Sequence, residues 1–184
     1  MAALVVGALA QVGDRTAWLA AVLADRYRRP LIVSLMAGIA LLVASAAAVI
    51  GGIVLAPRMT PEAKQFFLAV ALVALGGGSF FPVKALDRLA NWRLGTAATS
   101  LLGLLILAFG DGLQFVVLAL AARSPMPWLA VIGATIGSLA VIVPAVMLGE
   151  GAWCALPLRL ARRGIGVALV GTGVAIGIAA IRLI

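Results

Sequence analysis

The stretch "AQVGDRTAW", residues 10–18, places four polar residues inside a run of otherwise small and apolar side chains. These residues are Gln11, Asp14, Arg15 and Thr16. They stand out because 65% of the 184 residues are hydrophobic and only 11% are charged, whereas soluble domains carry about 25% charged residues. With a mean hydropathy of +1.23, the composition predicts an integral membrane protein with a single membrane domain over residues 1–184.

Six apolar segments follow one another along the chain. Each has close to the ~20 residues that cross a ~30 Å hydrocarbon core as a helix. Because the backbone must satisfy its own hydrogen bonds in lipid, all six are predicted to be α-helices. The segments cover residues 2–24, 31–56, 65–83, 97–122, 127–149 and 164–182. The start is interpreted as part of the first span rather than a signal peptide, because no Lys or Arg precedes it.

The basic residues indicate which loops face the cytoplasm. Nine lie in loops one, three and five, namely Arg26, Arg28, Arg29, Lys84, Arg88, Arg93, Arg159, Arg162 and Arg163. Four lie on the other side, namely Arg58, Lys64, Arg123 and Arg182. The positive-inside rule therefore predicts cytoplasmic odd-numbered loops. Because these residues cluster between apolar runs, the net charge of +8 is not interpreted as a nucleic-acid interface.

A shift of 97 residues (111 − 14) aligns the second half of the chain with the first without gaps. It pairs Gly13 with Gly110, Asp14 with Asp111, Arg26 with Arg123, Pro30 with Pro127, and Gly76 with Gly173. Matches of Asp, Arg and Pro are rare in so apolar a chain, so the halves 1–83 and 97–184 are interpreted as a duplicated three-helix unit. An odd number of spans per half forces opposite orientations. The predicted fold is all-α, with six transmembrane helices as two inverted three-helix repeats, an architecture of secondary transporters.

The repeated aspartates are the main candidates for a functional site. A charged side chain near the bilayer centre costs about 2.5–3.5 kcal/mol, so Asp14 and Asp111 are predicted to face a pathway or a partner. Gln11 and Gln114 lie three residues from these aspartates and would share a helical face with them. Thr16 would add a hydroxyl group. Such oxygen ligands are those that Ca²⁺, Mn²⁺ and Mg²⁺ prefer.

Gly13 and Gly110 are predicted to support this cation site, by close backbone approach or by a break in the helix. Two alternatives stay open at this point. The polar residues could form a helix-packing contact, or Asp14 could simply neutralise Arg15. The second alternative does not extend to Asp111, which has no basic neighbour within ten residues.

The sequence excludes several classes of chemistry. It contains no histidine and one cysteine, Cys154, so it can hold neither a His-ligated metal site nor an internal disulfide framework. It shows no nucleophile–base pair and no phosphate-binding loop. An enzyme is therefore not predicted, and no resident cofactor is expected.

The stretches "QVGDRT" and "AFGDGLQ" resemble the doubled Glu-x-Gly-Asp-Lys/Arg-Ser/Thr signature of six-span Mn²⁺/Ca²⁺:H⁺ exchangers. This is the transmembrane protein 165 family of Golgi and thylakoid manganese–calcium transporters and their bacterial relatives. The resemblance covers the whole chain. It implies a divalent-cation antiporter whose signature acidic residues, here Asp14 and Asp111, bind metal and protons.

Both signature Glu positions are replaced in this chain, by Gln11 and Ala108. Two full signatures would carry four carboxylates and two basic groups, a net charge of −2 that balances one divalent ion. Here Asp14, Asp111 and Arg15 give only −1. A bound divalent ion would then leave a buried positive charge without compensation, which is costly.

The leading hypothesis is a secondary transporter that exchanges a cation, Mn²⁺ or Ca²⁺ first, for protons across a bacterial inner membrane. Its expected partners are the metal cation, protons and the lipid bilayer, with no nucleic acid, and association into a homo-oligomer is left open. Two alternatives remain. The chain could be a degenerate relative that does not transport, or an exporter of another small solute on the same six-span scaffold.

Overall fold

The computed structural model describes residues 1–81, 89, 92 and 94–181. This part of the chain forms eight α-helices, one 3₁₀ turn and no strands. The helices are α1 (Ala2–Gln11), α2 (Arg15–Tyr27), α3 (Pro30–Leu55), α4 (Pro61–Gly78), α5 (Gly95–Phe109), α6 (Leu113–Arg123), α7 (Trp128–Ala155) and α8 (Leu158–Ile181), and the turn is Ala56–Arg58. The predicted loop residues Lys84, Arg88 and Arg93, and the terminal Arg182, lie outside the described residues.

Local sequence explains where several helices begin and end. Thr60 precedes α4, and its hydroxyl oxygen accepts a hydrogen bond from the backbone N–H of Ala63 at 3.2 Å. Proline occupies the first position of α3 and of α4, where its missing N–H leaves no helical hydrogen bond unmade. Between α2 and α3, Arg28 adopts a left-handed conformation with φ 52° and so ends α2.

Two of the six predicted spans are interrupted rather than continuous. The predicted span 2–24 divides into α1 and α2, and the predicted span 97–122 divides into α5 and α6. The axes of α5 and α6 differ by 67°. Both interruptions fall at a Gly-Asp pair, where the chain combines poor helix formers with a carboxylate that accepts a hydrogen bond from a backbone N–H at the start of the next helix.

Three described helices are long and apolar enough to cross a membrane: α3 with its 3₁₀ turn, α7 and α8. A fourth span results if the bent pair α5 and α6 is taken as one. By contrast, α1 has only 10 residues, and α4 carries Glu62 and Lys64 near its start. The structure is therefore an all-helical protein with three to four candidate spans, and the count of six stays a prediction.

The surface of α3 has the pattern of a helix that faces lipid on one side. Leu31, Leu35 and Leu42 are 74%, 62% and 51% exposed, and their spacing of four and seven residues keeps them on one face. On the other face, Val33 and Ala37 are fully buried. An apolar exposed face of this kind matches the membrane location predicted from composition.

The helices pack through small residues around α3 and α7, which contact each other. Helices α1 and α2 pack on α7, helices α5 and α6 pack on α3, and α4 packs on α6 and α8. Within α7 the helix is broken at Gly149, whose φ of 75° is left-handed. At this break the Asp25 carboxylate accepts a hydrogen bond of 2.6 Å from the backbone N–H of Glu150.

The contact between α4 and α8 requires glycine. A methyl group on the Cα of Gly173 would lie 2.8 Å from the carbonyl oxygen of Ala69, and one on Gly76 would lie 2.8 Å from that of Gly166. The early part of α4 therefore contacts the later part of α8, and the later part of α4 contacts the early part of α8. The two helices thus run antiparallel. Because the opposing atoms are backbone atoms, they have little freedom to move aside.

Replacing Gly173 by Ala is expected to destabilise the protein by about 1–3 kcal/mol, the usual cost of overpacking. Gly171 provides a matched control, because nothing lies within 4 Å of a methyl group at that position of the same helix. Gly171→Ala should leave the melting temperature unchanged or raise it, since Ala is the better helix former. Thermal unfolding in detergent distinguishes the variants, and equal melting temperatures would contradict the α4–α8 packing.

Candidate functional site

The first helix break holds Asp14 at the start of α2. Gly13 adopts φ 70°, a conformation that favours glycine, and it separates the last residue of α1 from Asp14. One oxygen of the Asp14 carboxylate, Oδ2, accepts hydrogen bonds from the N–H and from the hydroxyl of Thr16, both at 3.1 Å. Asp14 therefore caps α2, where the unpaired N–H groups and the helix dipole favour a negative charge.

The second helix break repeats this arrangement at Asp111. Its Oδ1 accepts a hydrogen bond of 3.1 Å from the N–H of Leu113, the first residue of α6. In both breaks the carboxylate therefore binds the N–H two residues further along. The backbone differs in one respect: Gly110 has φ −84° and ψ 0°, so this break does not use the left-handed conformation found at Gly13.

The two aspartates interact electrostatically. Asp14 is one of the charged groups that act on the Asp111 carboxylate, and Arg162 of α8 is another. Both aspartates are partly buried. Two carboxylates that interact in a medium of low dielectric constant repel each other, so a cation near them is favourable.

Gln11 and Gln114 contribute buried amide groups beside the breaks. Gln11 is the last residue of α1 and is 0% exposed, and Gln114 lies in the first turn of α6 and is 8% exposed. Among the residues that the structure describes, neither the nitrogen nor the oxygen of either side chain has a hydrogen-bond partner. Because buried polar groups are normally paired, these orphaned amides indicate that the region is built to contact something polar.

The other predicted site residues divide into two groups. Thr16 is buried and bound to Asp14, and Gly13 lies against α8, with a methyl position 3.4 Å from the Leu158 side chain. Arg15, in contrast, is exposed and makes no ion pair with Asp14 in the described part of the chain. Gly110 is also exposed. The interpretation of Asp14 as a simple counter-ion of Arg15 therefore does not describe this geometry.

The sequence does not distinguish Arg162 from its neighbours. It lies in the basic run from Arg159 to Arg163, which is interpreted from sequence as a set of loop charges. Arg162 is partly buried while Arg159 and Arg163 are exposed. Its guanidinium Nη2 donates a hydrogen bond of 3.2 Å to the carbonyl oxygen of Gly78 at the end of α4. Only the start of α8 at Leu158, six residues before the predicted span, turns this residue inward.

The carboxylates at the breaks form a pair rather than a larger cluster. Across residues 1–81, 89, 92 and 94–181, no group of three or more His, Cys, Asp or Glu side chains is placed to hold a metal ion. A cation bound between Asp14 and Asp111 would therefore need further oxygen ligands from amides, hydroxyls or the carbonyl groups of the broken helices.

Comparison with known proteins gives an independent assignment. The model of the family described as "Divalent cation/proton antiporter GDT1" matches residues 1–86 and 96–183. A protein of Vibrio cholerae serotype O1 with the name "Putative manganese exporter" is 29% identical over 158 residues, which are 85% of this chain and 78% of that protein. No solved structure matches this chain significantly.

The family match confirms the resemblance drawn from the two signatures, and with it the prediction of a transport protein rather than an enzyme. The apolar helices and the family agree on a location within the membrane. The chain therefore belongs to the GDT1 family of divalent cation/proton antiporters.

Proposed function

We propose that this protein exchanges a divalent cation, Mn²⁺ or Ca²⁺, for protons, and that Asp14 and Asp111 bind both. The observation that carries the proposal is the electrostatic interaction of the two aspartates, each of which accepts a hydrogen bond from a backbone N–H at the start of the second half of a broken helix. A half-helix start within the membrane is a favourable place for a carboxylate. The repulsion between the pair is relieved either by a metal ion or by protons, and that choice is the basis of exchange.

The ligand set suits a hard cation. Besides the two carboxylates, the buried amide oxygens of Gln11 and Gln114 are available, because they have no hydrogen-bond partner in the described part of the chain. The hydroxyl oxygen of Thr16 keeps its acceptor capacity while its hydrogen is donated to Asp14. All of these are oxygen ligands, as Mn²⁺ and Ca²⁺ require. The name of the Vibrio cholerae relative makes Mn²⁺ the first ion to test.

Two inverted repeats within one membrane domain of six spans form the scaffold of this proposal. The starts of α2, α3 and α4 at residues 15, 30 and 61 correspond to those of α6, α7 and α8 at 113, 128 and 158, offsets of 97 to 98 residues. The α4–α8 contact supports a two-fold relation. A methyl group on Gly76 would meet the Gly166 oxygen and Val170, and one on Gly173 would meet the equivalent Ala69 oxygen and Val73.

On this scaffold, α1 with α2 and α5 with α6 each cross the membrane as one interrupted span, and α4 supplies the remaining one. Interrupted spans are a common way to bring backbone groups and carboxylates to the midplane. The bacterial relative is consistent with a location in the bacterial inner membrane. The excess of Lys and Arg in the odd-numbered loops then places those loops in the cytoplasm.

Reconstitution into proteoliposomes with a trapped pH dye tests the proposed exchange. Gradients of Mn²⁺, Ca²⁺, Mg²⁺, Na⁺ and K⁺ are applied in turn, and Mn²⁺ or Ca²⁺ is expected to drive proton movement in the opposite direction. Failure of every ion to move protons would favour a degenerate relative that does not transport. Counterflow of amino acids in the same vesicles would favour an exporter of another small solute.

A further inference from the structure

Arg162 is placed unlike the other basic residues at the start of α8. A methyl group on Gly13 would lie 3.6 Å from the Arg162 Cβ, so the first helix break rests directly on the base of this side chain. Arg159 and Arg163, one turn before and one residue after it, are exposed. Arg162 is therefore directed towards the broken helices, whereas its neighbours face the surroundings of the protein.

The guanidinium of Arg162 is held at the end of α4. It donates one hydrogen bond to the Gly78 carbonyl oxygen, a position where the negative end of the α4 dipole favours a cation. A guanidinium carries five N–H donors, so this bond leaves several donors available. The charge of Arg162 also acts on the Asp111 carboxylate.

The charge balance of the site changes when Arg162 is counted. Arg15 is exposed and does not pair with Asp14, so the basic group that accompanies Asp14 and Asp111 is Arg162, and their sum is −1. One divalent ion would raise this sum to +1, which is unfavourable in a poorly solvated region. If the guanidinium moves away, the carboxylates alone give −2 and balance a divalent ion.

We propose that Arg162 is a tethered counter-cation of the cation site: its guanidinium neutralises the Asp14–Asp111 pair in the metal-free protein and competes with the divalent ion for it. This inference rests on the proposed function. It assigns to Arg162 a role in setting affinity, because every binding event must displace the guanidinium. It also predicts that the two carboxylates bind a divalent ion in preference to a monovalent ion only when the Arg162 guanidinium has moved away from them.

The test is the affinity of the purified full-length protein for Mn²⁺, measured by calorimetry in detergent. Arg162→Gln removes the charge and keeps a polar side chain, and it is expected to tighten Mn²⁺ binding about tenfold, since a cation no longer competes nearby. Arg159→Gln is the matched control, because it removes the same charge from an exposed position of the same helix. It should change the affinity less than about twofold, as expected of a screened surface charge.

A second measurement uses the wild-type protein and so does not depend on the folding of a variant. Phenylglyoxal modifies accessible guanidinium groups, and mass spectrometry locates the modified residues. Addition of Mn²⁺ should increase modification of Arg162 and leave Arg159 unchanged.

The outcomes separate the two proposals. Equal Mn²⁺ affinity in Arg162→Gln and Arg159→Gln, or no effect of Mn²⁺ on modification of Arg162, would overturn the role of Arg162 alone. In that case wild-type Mn²⁺ binding that is lost in Asp111→Asn still supports the cation site. Absence of saturable Mn²⁺ and Ca²⁺ binding in the wild type would instead contradict the proposed function itself.

Discussion

Replacing Asp111 by Asn is expected to abolish proton movement driven by Mn²⁺ or Ca²⁺, and replacing Asp14 by Asn is expected to do the same. Each change removes one of the two carboxylates at the helix breaks. Asparagine retains the ability to accept a hydrogen bond from the helix N-terminus, so the protein should still fold and insert. What it loses is a group that can hold both a cation and a proton.

Glu62→Gln is the control for these two variants. Glu62 lies in the first turn of α4, away from both breaks in sequence, and its substitution removes a carboxylate without touching the pair. Transport in proteoliposomes and the amount of protein in the membrane are measured for all three variants. Undiminished exchange in both aspartate variants would show that the site lies elsewhere.

The second large effect is expected from Gln11→Glu, which restores a carboxylate that the family signature contains. Gln11 is fully buried with an unpartnered amide, so Glu fits the same space. A new charge pair at ~4 Å is worth about 4 kcal/mol at an effective dielectric constant near 20, and desolvation of the carboxylate offsets much of it. We expect a net gain of about 1–2 kcal/mol, or roughly tenfold in divalent-ion affinity, with a steeper dependence on pH.

The second replaced signature position, Ala108, is not equivalent to Gln11. Ala108 is 1% exposed and packs within the main apolar cluster, so Ala108→Glu would overpack the core and is expected to lower stability. The sequence alone suggested Ala108→Glu as a second step, with most of the gain in divalent-ion affinity expected from Gln11→Glu, and the burial of Ala108 argues against that second step. Unchanged or weaker Mn²⁺ and Ca²⁺ affinity in Gln11→Glu between about pH 6 and 8 would show that position 11 does not face the ion.

The sequence predicts the all-helical class well, because apolar runs of span length are a strong local signal. The two Gly-Asp pairs suggested either a close backbone approach or a helix break, and both pairs lie at breaks. The residues that surround the site are harder to predict. Spacing rules place Gln11 and Asp14 on one face only if the helix is continuous, and residues 12–14 interrupt it.

Arg15 and Arg162 both illustrate why the residues around the site are hard to predict from sequence. Arg15 belongs to the signature, yet α2 begins at this residue and turns it outward. Arg162 belongs to no motif, yet α8 begins early enough to include it and leave it partly buried, and its charge acts on Asp111. Where a helix begins determines which way its first side chains point, and hydrophobicity patterns locate that point only to within a few residues.

The two helix breaks meet α4 and α8 in unequal ways. Gly13 lies against the start of α8, at Leu158 and Arg162, whereas Gly112 lies against Leu75 near the end of α4. Because α4 and α8 run antiparallel, both contacts are at the same end of this helix pair.

If the halves are exchanged by the proposed two-fold relation, these contacts have counterparts: Gly110 would meet Pro61 and Gln65, and Arg15 would meet Thr172. A Gly110→Cys, Pro61→Cys pair that never cross-links during transport would exclude such an exchange. On the proposed two-fold relation, the duplicated sequence would provide two such contacts, one at each end, that compete for a single pair of helices. Alternating access would then need no separate gate, because forming either contact would require breaking the other.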